Sequence, residues 1–178
     1  LPLFVDYFWA CSDLAARFVF PKRVIKSRRY AMLPNGIDLK RYAFCPEKRS
    51  AVRREQNAEG KFVIGHAGRF VEQKNHVYLL EIFAEIRRKT PSALLWLFGT
   101  GVLFERMREK ARQLGIEEAV TFFGVVKNMD EMWQAMDVLV MPSLHEGLPV
   151  AGIEAQASGL PCIFSDTITR EVDVSGTS

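Results

Sequence analysis

From residue 61 onward, short apolar runs alternate with segments in which apolar residues recur at helical spacing. Short continuous apolar runs predict buried strands, whereas apolar residues three and four positions apart predict amphipathic helices. The pattern predicts strands at 62–66, 93–98, 120–123, 137–141 and 161–164. It predicts helices between them at 76–89, 102–114, 129–136 and 149–158.

Strands that alternate with helices in this way are typical of a parallel sheet with helices on both faces. The predicted fold class is therefore α/β, with a Rossmann-like sheet. In such sheets, ligands bind at the carboxyl ends of the strands, where loops lead into helices. Chemistry is therefore expected in the loops that follow the strands.

The first sixty residues are less regular. Ser12 predicts a capped helix from Asp13 to about Phe20, and residues 30–33 predict a strand. A turn at 34–36 (Pro-Asn-Gly) ends that strand, because Pro fixes φ and Asn or Gly tolerates a positive φ. Residues 39–60 are polar and are predicted to be irregular, except for a helix near 50–56.

Residues 21–29 (PKRVIKSRR) are rich in positive charge. Two interpretations stay open: a linker in solvent, and attraction to an anionic membrane surface at the inner face of the membrane. The second would make the protein peripheral to a membrane. The cations in question are Lys22, Arg23, Lys26, Arg28 and Arg29.

Composition narrows the class of protein. Of 178 residues, 48% are apolar and 25% are charged, which is typical of a globular domain. The net charge of +3 does not indicate nucleic-acid binding. The chain contains 3 cysteines without metal-ligand spacing, which favours reduced thiols in a cytoplasmic protein. The histidines also lack ligand spacing, so we expect no metal. We expect His66 and His145 to line a pocket and His76 to pack internally.

The first candidate site is the segment 141–161 (MPSLHEGLPVAGIEAQASGLP). Pro149 fits the first turn of a helix, and Gly159 fits the position just past its end. A loop that leads into a helix start presents free amides and the positive end of the helix dipole, which suits a phosphate.

Two carboxylates, Glu146 and Glu154, flank this helix start. One interpretation is that both face a ligand lying across the beginning of the helix. The other is that Glu146 interacts with the helix dipole and Glu154 is a solvated helix residue. The spacing alone leaves both open.

The second candidate site is the segment 65–75 (GHAGRFVEQKN), which leaves a strand and enters a helix. Gly68 permits close approach of the backbone, and Arg69 and Lys74 bring two cations to the sheet edge. A guanidinium binds phosphate oxygens in a bidentate manner, and an ammonium acts as a point charge. The segment matches neither a Walker A loop nor G-x-G-x-x-G. The alternative for the two cations is a surface salt bridge.

These segments together resemble the family-4 (group 1) retaining glycosyltransferases, which have the GT-B fold. Segment 146–154 and its flanks resemble the family's E-x7-E signature, and 65–75 resembles its G-R-[LF]-x3-K segment, with Asn75 where the family often has Gly. Residues 34–38 (PNGID) resemble the segment at the family's domain crossover. Residues 98–101 (FGTG) lack the Pro that often follows, and 120–124 (VTFFG) is a weaker match.

The resemblance implies that residues 21–178 are the C-terminal nucleotide-sugar-binding domain, truncated at its end, and that 1–20 are a remnant of the acceptor domain or a linker. The donor would be a nucleotide-diphosphate sugar, with a UDP-sugar favoured over a GDP-sugar. The full-length enzyme would transfer a hexose with retention, without a metal, to a saccharide or lipid-linked saccharide in polysaccharide or glycolipid biosynthesis. The 178 residues alone would be inactive.

The resemblance also implies roles for individual residues. Arg69 and Lys74 would hold the diphosphate beside Gly68, Glu146 would hold the sugar hydroxyls, and Glu154 would hold the ribose. Glu146, Arg69 and Lys74 are the predicted catalytic residues. Backbone groups would add contacts to the diphosphate and the base, from Gly147, Leu148, Val125 and Val126.

Three other functions are alternatives to sugar transfer. A non-hydrolysing sugar-nucleotide 2-epimerase of the same fold would bind similar ligands, and a nucleotide-sensing domain would bind without transfer. A glycoside hydrolase built on Glu146 and Glu154 is disfavoured, because nothing in that mechanism requires Arg69 and Lys74.

Overall fold

The computed structural model describes residues 5–176, and the outermost residues of the two predicted domains, 1–4 and 177–178, lie outside the described part. The strands are β1 (Phe8–Ala10), β2 (Tyr30–Met32), β3 (Val63–Ala67), β4 (Leu94–Phe98), β5 (Val120–Gly124), β6 (Val138–Met141) and β7 (Cys162–Phe164). The helices are α1 (Asp13–Val19), α2 (Lys22–Ile25), α3 (Leu39–Tyr42), α4 (Pro46–Glu55), α5 (His76–Lys89), α6 (Phe104–Gln113), α7 (Met129–Ala135) and α8 (Val150–Ala157).

The main sheet is parallel and has 5 strands in the order β5-β4-β3-β6-β7. In its centre, Val63 of β3 pairs with Leu94 of β4, and Ile64 pairs with Val138 of β6. The strands predicted from the apolar runs are confirmed within one residue at each end. The carboxyl ends of β3 and β6 therefore lie side by side.

Helices cover both faces of this sheet, as predicted. Along β4, Leu95 and Leu97 face a core formed with α5 and α6, whereas Trp96 and Phe98 face a core formed with α4, α7 and α8. This alternation follows from the opposite directions of successive side chains on a strand. The α/β fold class is confirmed.

The N-terminal part forms a separate parallel sheet of 2 strands, β1 and β2. The predicted cap is present, since Ser12 Oγ accepts a hydrogen bond from the Ala15 amide at 3.1 Å. The segment 21–29 contains one helical turn, α2, so it is more ordered than the predicted linker. Its five cations are all exposed, and membrane contact stays a prediction. Across residues 5–176, no helix is long and apolar enough to cross a membrane.

Residues 39–55 are more helical than predicted. Asp38 accepts hydrogen bonds from the amides of Lys40 and Arg41 and so begins α3. Helix α4 begins at Pro46, a residue that suits the first helical position. This helix is anchored by tertiary contacts, because Arg49 and Arg53 bind the carboxylate of Asp137 just before β6. Such distant partners cannot be recognised in a polar sequence.

Helix α8 begins one residue later than predicted. Pro149 has extended backbone angles and precedes the first turn, because the helical bonding begins when the Gly152 amide donates to the Pro149 carbonyl. Gly159 has a φ of +72° directly after the C-cap residue, as predicted for the position past the helix end. The first free amides of the helix therefore belong to Val150 and Ala151.

Candidate functional site

A cavity of about 340 Å³ lies where β3 ends and α8 begins. It is open to solvent and is formed by two stretches of chain, 67–74 and 146–151, that are far apart in the sequence. They meet because β3 and β6 are neighbours in the sheet. The lining residues are Ala67, Gly68, Arg69, Val71, Gln73, Lys74, Glu146, Pro149, Val150 and Ala151.

The structure brings Arg69, Lys74 and Glu146 together in this cavity. Lys74 and Glu146 form an ion pair whose side chains are only 15% and 10% exposed. It is therefore not the surface salt bridge of the alternative interpretation. Arg69 is exposed, and within residues 5–176 no acidic partner neutralises it. The cavity thus holds one compensated cation, one uncompensated cation and one carboxylate.

The loop that carries Arg69 is held by the glycine-containing segment after β4. The Gly68 amide donates to the Phe98 carbonyl at 3.0 Å, and the Phe70 amide donates to the Thr100 carbonyl at 2.9 Å. A Cβ at Gly99 would lie 2.2 Å from the Gly68 oxygen, so only glycine allows this approach. The segment 98–101 therefore supports the cation loop although it lacks the family's Pro.

The loop that carries Glu146 is fixed against the one that carries Lys74. The Leu144 amide donates to the Gln73 carbonyl at 2.8 Å, and Gln73 Nε2 donates to the His145 carbonyl at 2.8 Å. Asn75 has a left-handed backbone with a φ of +54°, which Asn tolerates better than most residues. The side-chain amide of Asn75 also donates to the Pro142 carbonyl at 3.2 Å, which glycine could not do.

Glu154 does not line the cavity. Its carboxylate accepts a hydrogen bond from the Tyr42 hydroxyl at 2.8 Å and one from Trp133 Nε1 at 3.3 Å. Burial, together with this bond to Glu154, raises the pKa of Tyr42 to about 12. Glu154 is therefore not simply solvated either. A carboxylate has about four lone-pair sites, so Glu154 retains the capacity to accept further hydrogen bonds.

The four residues predicted to offer backbone contacts also lie outside the lining. Gly147 faces α1, where an added Cβ would lie 3.5 Å from that of Ala15, and Leu148 packs against the core. Val125 is exposed, and Val126 is half-buried against the core. The cavity is instead lined by Val150 and Ala151, which sequence reasoning missed because the helix was expected to begin earlier.

The histidines lie differently from the expectation. His66 is fully buried and donates from Nδ1 to the Val140 carbonyl at 2.8 Å. His145 is exposed, and neither side chain lines the cavity. His76 is packed internally as expected, with its ring stacked on Phe70 at 4.1 Å. In the described part of the chain, no cluster of three or more His, Cys, Asp or Glu residues could hold a metal ion.

A family model and individual similar sequences all indicate glycosyltransferases. The family model described as "Glycosyl transferases group 1" matches residues 47–174. EpsF of Bacillus subtilis (strain 168) is 44% identical over 168 residues, which is 92% of this chain and 43% of EpsF. The Escherichia coli UDP-Gal:alpha-D-GlcNAc-diphosphoundecaprenol alpha-1,3-galactosyltransferase is 30% identical over 142 residues, 78% of this chain and 37% of that protein. The chain therefore spans less than half the length of these relatives.

Solved structures show the same fold. Anabaena HepE in complex with UDP-glucose has a TM-score of 0.81 at 20% identity, and the match covers 93% of this chain and 46% of HepE. WaaG, a glycosyltransferase involved in lipopolysaccharide biosynthesis, has a TM-score of 0.77 at 23% identity, with 90% of this chain and 44% of WaaG covered. These likenesses show that the fold is that of GT-B glycosyltransferases.

Proposed function

The chain belongs to the group 1 glycosyl transferases, and from this premise we propose that its cavity binds a UDP-sugar as the donor of a sugar-transfer reaction. The observation that carries the proposal is the convergence of Arg69, Lys74 and Glu146 with the first turn of α8. Two cations and a helix N-terminus suit a diphosphate, and a carboxylate suits sugar hydroxyls. The name of one similar protein includes UDP-Gal, and another, HepE, was solved in complex with UDP-glucose, which favours uridine.

In the proposed reaction, the bond between the sugar C1 and the diphosphate oxygen breaks and the acceptor oxygen bonds to C1. The electron pair of the broken bond stays on the departing UDP, and the acceptor proton goes to a phosphate oxygen. Arg69, Lys74 and the amides of Val150 and Ala151 stabilise the charge that develops on UDP. No metal is needed for this step.

Glu146 has the second role, at the sugar. Its carboxylate accepts hydrogen bonds from sugar hydroxyls and lies near C1, where positive charge develops as the bond to UDP breaks. The acceptor, a saccharide or lipid-linked saccharide, approaches from the face that UDP leaves, so that the configuration at C1 is retained. Polysaccharide or glycolipid assembly is the process this reaction would serve.

The rest of the nucleotide extends from the cavity toward Glu154, which binds the ribose hydroxyls, and toward Val125 and Val126, which contact the base. Residues 21–178 then belong to the donor domain. Residues 1–20 belong to the acceptor domain or to a linker. The β1–β2 sheet joins the two sides of this proposed boundary, because Phe8–Ala10 pairs with Tyr30–Met32.

Titration calorimetry of the full-length protein with UDP, UDP-glucose, GDP and GDP-mannose tests the proposal. We expect the uridine ligands to bind and Arg69→Ala to weaken UDP binding by about tenfold or more, since a hydrogen bond to a charged group contributes about 1.5–3 kcal/mol. Arg106→Ala, at an exposed position on α6, is the matched control and should leave the affinity unchanged. Absence of binding, or equal effects of the two substitutions, would contradict the proposal.

A second prediction concerns the ribose. Glu154→Ala should weaken UDP binding. Tyr42→Phe should weaken it by a few-fold, because the hydrogen bond from the Tyr42 hydroxyl orients the Glu154 carboxylate. One such hydrogen bond contributes about 1 kcal/mol. Calorimetry with UDP and with 2′,3′-dideoxy-UDP measures both effects. Neither substitution should change the affinity for the dideoxy nucleotide.

Tyr78→Phe is the control for this prediction, because Tyr78 is 53% exposed on α5. Equal losses for UDP and its dideoxy analogue would mean that Glu154 does not bind the ribose, and the role assigned to Glu154 would be wrong.

A further inference from the structure

His66 is a buried polar side chain that the proposed reaction does not use. It is 0% exposed, and its Nε2 has no hydrogen-bond partner. Buried polar atoms without a partner are rare, because each costs about 1–3 kcal/mol. The position of this nitrogen therefore requires an explanation.

The hydrogen bond at the other ring nitrogen fixes what Nε2 can do. The Val140 carbonyl only accepts, so Nδ1 of His66 carries the proton. Burial lowers the pKa of His66 to about 4, so the ring is neutral at pH 7. The unpartnered Nε2 therefore carries a lone pair, so it can accept a hydrogen bond but cannot donate one.

The ring of His76 lies 4.7 Å from that of His66 but makes no hydrogen bond to Nε2. A second donor close to this nitrogen is the ammonium of Lys74. A Cβ placed on Gly68 would lie 3.3 Å from His66 Nε2 and 2.9 Å from Lys74 Cε, so the two groups flank the same point. The charge of Lys74 is also among the causes that lower the pKa of His66. In the structure Nζ bonds to Glu146, so a hydrogen bond to His66 Nε2 requires rotation about the Cδ–Cε bond of Lys74.

We propose that His66 is a positioning residue for Lys74, whose ammonium donates one hydrogen bond to His66 Nε2 and thereby stays aimed at the donor diphosphate. An ammonium has three protons, so bonds to Glu146 and His66 leave one for a phosphate oxygen. When Glu146 binds sugar hydroxyls, His66 retains Lys74 in place. The inference rests on the proposed function of the cavity.

Two substitutions of His66 in the full-length protein distinguish its role as a hydrogen-bond acceptor from its role in packing. His66→Asn keeps an amide donor near the position of Nδ1 for the Val140 carbonyl but places nothing at Nε2. His66→Gln places an amide oxygen near Nε2. We expect His66→Asn to weaken UDP binding by about tenfold, which corresponds to about 1.4 kcal/mol, and His66→Gln to restore most of the affinity in calorimetry.

The Lys74→Met background provides the coupling test. If His66 acts through Lys74, His66→Asn should cause no further loss of UDP affinity there. The same loss in both backgrounds, or an unchanged affinity after His66→Asn, would overturn the inference.

Imidazole ¹⁵N NMR without nucleotide separates this inference from the proposed function. The Nε2 resonance of His66 should move on Lys74→Met and stay in place on Lys89→Met, a substitution of an exposed lysine at the end of α5. An identical Nε2 resonance in wild type and Lys74→Met would overturn the contact. A wild-type protein that binds no UDP would instead overturn the proposed function, while the NMR result still decides the contact.

Discussion

Lys74→Met is expected to lower sugar transfer by the full-length protein about 100- to 1000-fold, because loss of one well-placed donor to a developing negative charge costs about 3–4 kcal/mol. Lys74 is suited to this role, since its side chain is 15% exposed and its charge is little screened by water. Release of UDP from a UDP-sugar in the presence of the acceptor measures the effect. Lys89→Met is the matched control and should retain full activity.

The same substitution should also destabilise the fold. The Glu146 side chain is only 10% exposed, and without Lys74 it loses its ion-pair partner. Breaking a buried pair in this way costs about 3–5 kcal/mol. The double variant Lys74→Met/Glu146→Gln removes both charges and should recover most of the thermal stability. It should not recover transfer. Recovery of both would show that Lys74 serves stability alone, and the catalytic assignment would fail.

The predictable part of the fold is the part that local patterns determine. β4 could be predicted because five consecutive apolar residues must be buried on both sides, and the structure divides them between two cores. Helix α4 could be predicted only in part. Its stability depends on Arg49 and Arg53 binding Asp137, which lies more than eighty positions away. Ion pairs of that kind leave no periodic signal in a polar segment.

The candidate site shows the same division. Arg69 and Glu146 could be assigned to one place because each follows a strand of a parallel sheet, and the structure makes β3 and β6 neighbours. Glu154 lies elsewhere because its direction on α8 depends on Tyr42 and Trp133, which come from distant segments. The backbone amide of Val150 was missed because the helix begins one residue later than predicted.

The site also shows where residue type carries information beyond a motif. At position 75 this chain has Asn where the family often has Gly. Asn75 still adopts the left-handed backbone, and its side chain adds a hydrogen bond to the Pro142 carbonyl. Gly99 and Gly101 are also determined by packing, since an added Cβ at either would collide with the backbone of residues 68–70. A resemblance identifies these positions, but only the packing explains why they tolerate so few residues.

Acid is expected to destabilise the protein steeply between pH 6.5 and 5. Burial lowers the pKa of His66 to about 4. Burial, reinforced by the neighbouring His66 and Lys74 side chains, lowers the pKa of His76 to about 3. In the unfolded chain both would titrate near 6.5. The unfolded state therefore binds more protons in this window, so the free energy of unfolding falls as the pH falls. Each histidine contributes up to about 1.4 kcal/mol per pH unit.

Urea unfolding at half-unit pH steps measures this slope. His66→Gln removes one of the two titrating groups and should reduce the slope by about half, whereas His145→Gln, at an exposed position, should leave it unchanged. Asp130 interferes little in this range, because the hydrogen bond from Arg41 holds the pKa of its carboxylate below the usual value. A flat stability between pH 6.5 and 5 would show that the two buried imidazoles are already protonated in the fold, and Nε2 of His66 could then accept no hydrogen bond from Lys74.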